Sequence, residues 1–81
     1  MSYSATVDVM LKPGIADPQG QTIERAMPAL GFEGVSGVRV GKRITLTVEA
    51  ADAEAARSKV EEMCERLLAN PVIESYEVEV T

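Results

Sequence analysis

The residues able to do chemistry are few. Cys64 is the single thiol in a chain without histidine, and a nucleophilic cysteine needs a neighbour that draws off its proton. It falls between Met63 and Leu67 in an apolar stripe, which is the position of a buried structural thiol. Glu54, Glu61, Glu62 and Glu65, with Glu77 and Glu79 further on, offer carboxylates for acid–base work or cation binding. Their spacing equally makes them the solvated faces of amphipathic elements, and that is how we take them. The stretch Gly14 to Gly20 resembles an anion-binding loop ahead of a helix, but it lacks GxGxxG or P-loop spacing, and Asp17 would repel a phosphate. It is therefore read as a turn and a helix cap. Lys42 and Arg43 at a hairpin tip serve either as solubilising edge charges or as a docking contact. No residue is assigned to catalysis, cofactor binding or metal binding.

The elements that position these residues follow from periodicity. Tyr3, Ala5, Val7, Val9 and Leu11 alternate with polar neighbours, the period of a half-buried strand, and Pro13-Gly14 ends it. Asp17-Pro18 starts a helix, since the carboxylate caps orphan N–H groups and proline suits the first helical position. Ile23, Ala26, Met27 and Leu30 form its apolar stripe. Pro28 predicts a kink or break near Met27. Gly31 fits the left-handed stop, with Phe32 folding back against Met27.

Val35, Val38 and Val40, then Ile44, Leu46 and Val48, predict a hairpin around Gly41-Lys42-Arg43. A two-residue turn would put the two apolar sets on opposite faces, whereas a three-residue loop would align them. Ala51 to Ala69 reads as the clearest helix, with Asp52 as its cap and Ala56, Val60, Met63, Cys64, Leu67 and Leu68 as its buried stripe. Asn70-Pro71 stops it, and Val72, Tyr76, Val78 and Val80 mark a last strand.

The order βαββαβ is the ferredoxin-like α+β pattern: a four-stranded antiparallel sheet carrying two helices on one face. Right-handed crossovers would place strands one and three at the centre and the last strand on an edge. The bare face would then show Met10, Ile73 and threonines beside Arg39.

With 81 residues the chain forms one domain, 1–81, that hides only about 60 to 65% of its unfolded surface. Such thin cores are usually supplemented by disulfides, a metal or a partner. One cysteine and no histidine leave partnering as the expected route. A formal charge of −5 and three scattered aromatics argue against nucleic acid. No apolar run reaches the roughly 20 residues that span a bilayer, and no signal-peptide pattern opens the sequence. With its unpaired thiol, the chain is expected in the cytoplasm.

Three segments together carry a family resemblance: LKPGIADPQGQTIERAMPALGF from Leu11 to Phe32, VRVGK from Val38 to Lys42, and LLANPVIESYEVEV from Leu67 to Val80. They closely resemble the PurS family, the small subunit of bacterial and archaeal phosphoribosylformylglycinamidine synthase. The resemblance implies a noncatalytic subunit of purine biosynthesis that dimerises and sometimes tetramerises, joining a large synthetase subunit to a glutaminase subunit. The complex would convert formylglycinamide ribonucleotide, ATP and glutamine to formylglycinamidine ribonucleotide, with ATP and Mg on the large subunit and none on this chain.

Partner contacts are expected where unusual turn chemistry is concentrated: Lys12, Pro13, Gly14, Asp17, Pro18 and Gln19; Gly41, Lys42 and Arg43; and Asn70 with Pro71. A different class of function is an ACT-like regulatory module, which would bind a small metabolite at a dimer interface.

Overall fold

Because Ala5, Val7 and Val9 alternate with polar residues, the strand that carries them can bury one face completely. In the computed structural model, which describes residues 1–81, that strand is β1 (Ser2–Leu11), and it lies at the centre of the sheet. β2 (Gly41–Glu49) runs antiparallel along one side, from Gly41 opposite Met10 to Glu49 opposite Ser2. β3 (Glu74–Val80) runs antiparallel along the other, from Glu74 opposite Leu11 to Val80 opposite Ala5. Val7 is flanked by Ile44 and Val78, and Ala5 by Leu46 and Val80. The apolar sets of all three strands therefore share one face.

The sheet has three strands, not four. Residues 35–40 form no strand. Their amide groups are taken by side chains instead: Val38 N–H donates to Glu24 Oε1 at 3.0 Å, and Val40 N–H to Asp17 Oδ2 at 2.8 Å. Gly34 and Gly37 have φ of 77° and 70°, left-handed backbone that interrupts strand geometry. No hairpin tip exists at Gly41 to Arg43, since these residues open β2. β1 alone is central, and β2 is an edge strand. The bare face carries Met10, Thr6, Thr45 and Thr47 beside Arg43, not Arg39. Ile73 precedes β3.

α2 (Ala53–Met63) covers the other face. Asp52 caps it, accepting from Ala55 N–H at 2.7 Å, and Ala56, Val60 and Cys64 are completely buried against Ala5, Val7 and Val9. A π turn, Cys64–Leu68, follows and closes with Ala69 N–H donating to Cys64 O. This wider turn rotates the end of the helix relative to an α-helical stripe. Leu67, expected inside, is consequently 82% exposed.

α1 (Pro18–Ala26) breaks before Pro28 as expected, and a 3-10 turn spans Pro28–Leu30. Gly31 then adopts φ of 91°, with Gly31 N–H donating to Pro28 O and Phe32 N–H to Met27 O, the paired bonds of a Schellman stop. The second departure concerns placement: α1 does not lie over the sheet beside α2. It stands off the end in an arm, residues 12–40, held by its own hydrogen bonds. The molecule measures 52 × 25 × 15 Å.

Candidate functional site

β1 is antiparallel to both neighbours, so its C-terminal end meets the N-terminal ends of β2 and β3. That geometry gathers the turns singled out by sequence at one end of the sheet. Lys12 is the tie: its N–H donates to Ile73 O at 2.8 Å and its Nζ to Pro71 O at 2.7 Å. Pro13 and Gly14 turn beside it, with Gly14 at φ of 89° and Ile15 N–H donating to Lys12 O. The Asn70-Pro71 corner is closed by Asn70 itself, whose Oδ1 accepts from Val72 N–H and whose carbonyl accepts from Ile73 and Glu74 N–H.

Asp17 anchors the arm. It is buried, and its carboxylate accepts from Gly20 N–H at 2.9 Å as a helix cap and from Val40 N–H across the loop. These two amides hold its carboxyl below the ordinary value of 3.8, against the opposing effect of burial and with help from the Arg39 charge. Arg39 fastens the same junction, donating from its guanidinium to the carbonyls of Ile15, Lys12 and Leu11. Gly20 is needed because a Cβ there would collide with Val38 O and Asp17 Oδ2. A cleft of about 240 Å³ lies at this junction, lined by Asp17, Gln19, Gly41, Lys42 and Glu74 over Val9, Leu11 and Val40.

Pro18 opens α1 next to this cleft. Arg43 lies apart from the group. It points to the bare face, where its Nε donates to Asp8 Oδ1 at 2.7 Å, a pairing that raises its pKa.

The reactive side chains are held protonated. Burial, followed by the Glu61 and Glu65 charges, pushes the Cys64 thiol up. Tyr76 donates to Glu65 Oε2 at 2.6 Å, and that bond pushes the phenol up to about 12. What the arrangement offers is shape: rigid turns at one end of a sheet and an arm fixed to them. The sequence reading gave Glu24 no role, took Gly20 only as part of a turn, and placed Arg39 on the bare face of the sheet. Glycine in the first turn of a helix was the one available signal, since its low helix propensity calls for a close approach.

Residues 4–81 match the family model for PurS, phosphoribosylformylglycinamidine (FGAM) synthase. The chain belongs to the PurS family. It is 47% identical over 78 residues to the PurS subunit of phosphoribosylformylglycinamidine synthase from Methanocaldococcus jannaschii, covering 96% of this chain and 94% of that one. It is 45% identical over 80 residues to the Synechocystis subunit, covering 99% and 80%.

Among solved structures, PurLQS from Thermotoga maritima contains a chain matched at a TM-score of 0.90 and 40% identity, covering 100% of this chain and 99% of that one. Bacillus subtilis PurS matches at 0.86 and 43% identity, covering 98% of each. The likeness to PurS thus runs over the arm as well as the sheet. Nothing in it favours the ACT-like regulatory alternative.

Proposed function

We propose that this chain is the noncatalytic PurS subunit of phosphoribosylformylglycinamidine synthase in purine biosynthesis. In this role it works in the cytoplasm as a homodimer that bridges the synthetase and glutaminase subunits. The observation that carries the reading is the full-length match to the PurLQS chain of Thermotoga maritima.

The division of labour has a physical logic. Ammonia released by a glutaminase into water is protonated and diluted, whereas subunits locked in register keep it concentrated at the site where it is consumed. A subunit doing this needs firm surfaces and no reactive group of its own. ATP and Mg belong to the large subunit in this scheme. Lys12, Pro13, Gly14, Asp17, Pro18 and Gln19 in the first turn, Gly41, Lys42 and Arg43 at the start of β2, and Asn70 and Pro71 at the last corner are the proposed partner contacts.

Reconstitution tests the reading. Added to matching synthetase and glutaminase subunits, the chain should be required for glutamine-dependent formation of formylglycinamidine ribonucleotide, while ammonia-dependent formation persists without it. Glutamine-dependent turnover at full rate in its absence would overturn the proposal. The contact assignment is tested by alanine replacement of Lys12, Gln19 and Lys42 together, which should weaken complex formation in sedimentation runs.

A further inference from the structure

The free edge of β3 can be read group by group. Ser4 and Thr81 exchange both backbone bonds, Ser4 N–H donating to Thr81 O at 3.0 Å and Thr81 N–H to Ser4 O at 2.9 Å. Opposed residues of an antiparallel pair alternate between bonded and unbonded, so the register makes Glu79, Glu77 and Ser75 the residues that bond to β1. Lys12 N–H donating to Ile73 O continues the series. Glu74, Tyr76, Val78 and Val80 therefore turn their N–H and C=O groups outward.

Two of these four residues are already engaged. Glu74 N–H donates to Asn70 O at 2.7 Å, and Val78 O accepts from the Arg57 guanidinium at 2.8 Å. Arg57 reaches it from α2, where its neighbour Ala56 is buried against the sheet. A docking strand pairs with both groups of each outward residue. Tyr76 and Val80 keep both, but the blocked Val78 stands between them. On β2 the corresponding cation, Lys59, holds Glu49 O at the strand's end and leaves the middle alone.

The side chains reinforce the block. Glu77 and Glu79 are exposed and belong to no ion pair. If two β3 edges met antiparallel with Val78 opposite Val78, each Glu77 would stand opposite the other chain's Glu79, a like-charge pairing that destabilises a sheet. Without these devices β3 would be a hazard, since an exposed strand carrying Tyr76, Val78 and Val80 is a template for pairing with its own copy.

We infer that Arg57 guards the β3 edge: by holding Val78 O it withholds the middle of the strand from a second copy's β3, and so closes one route of edge-to-edge assembly. The guard goes beyond the subunit reading and holds for whatever assembly the unaltered chain forms.

Amide hydrogen exchange and sedimentation velocity on the full chain test it. In the unaltered chain the Tyr76 and Val78 amides should exchange freely while those of Glu77 and Glu79 are protected. Glu77→Thr with Glu79→Thr should leave the assembly at its original mass. Adding Arg57→Met, which keeps an apolar stem and removes the donor, should give a species of about twice that mass and protect Tyr76 and Val78.

Equal masses for the double and triple variants would overturn the guard. So would growth in the double variant alone, or protection of Tyr76 and Val78 in the unaltered chain. Should the triple variant misfold, Arg57→Met alone, in salt that screens the two carboxylates, should show the same growth, and its absence there would count against the proposal.

Discussion

At the scale of single residues, Asp17 does most to hold the arm in place. Its carboxylate is bonded to two backbone amides, Gly20 and Val40, that nothing else in the fold satisfies, and their N–H dipoles favour the ionised form. A carboxyl whose pKa is lowered by folding adds stability that is present in full above its unfolded value. That stability is lost as pH falls through the folded value. Acidification below the ordinary 3.8 should therefore loosen the arm, and Asp17→Asn should remove that acid-sensitive component. Urea unfolding of both forms at neutral and acid pH measures it. An identical pH dependence in the two forms would show that Asp17 is not the coupling group.

At the scale of elements, α2 and its π turn separate core from surface more sharply than periodicity does. Val60 is fully buried, so Val60→Ala should cost about 2 to 3 kcal/mol from lost burial and the cavity left behind. Leu67, one residue type in the same apparent stripe, is largely exposed. Leu67→Ala should cost less than about 0.5 kcal/mol. Denaturant midpoints for the pair, taken at low protein concentration, distinguish the two environments.

This contrast marks what the sequence could reveal. Alternation announced β1 and β3, and Asp17, Asp52, Pro28 and Gly31 announced helix ends, because those signals act within a few residues. The π turn left no local trace, so Leu67 looked like core. Val35 to Val40 alternated like a strand, yet alternation does not report pairing. The amides of Val38 and Val40 were claimed by Glu24 and Asp17, 14 and 23 residues away. The apolar stripe of α1 likewise showed that the helix needs cover without saying which sheet provides it. The residues chosen as contacts, Arg43 apart, do share one end of the sheet, which follows from antiparallel pairing. Arg39, which fastens that end, read as a residue of the sheet's bare face, because alternation could not show that its strand was absent.

At the scale of the whole molecule, the dimensions are those of a part. A globular chain of this length has a radius of gyration of about 12 Å, and this one has 16.4 Å. Only 10 of its 81 residues are buried, so on the homodimer reading proposed above much of its stability comes from association. Its apparent melting temperature should rise with concentration, since for a dimer that unfolds as it dissociates each tenfold increase adds about 1.4 kcal/mol of apparent stability. Calorimetry across a dilution series checks this, and a midpoint independent of concentration would mean that the lone protomer carries its own stability.

The bond from Lys12 Nζ to Pro71 O joins two corners that are 59 residues apart in the chain. One corner leads into the arm and the other leads out of α2. They behave as a single clasp: a neighbour that grips either corner holds the base of the arm and the foot of the helix together, and opening the clasp would slacken both.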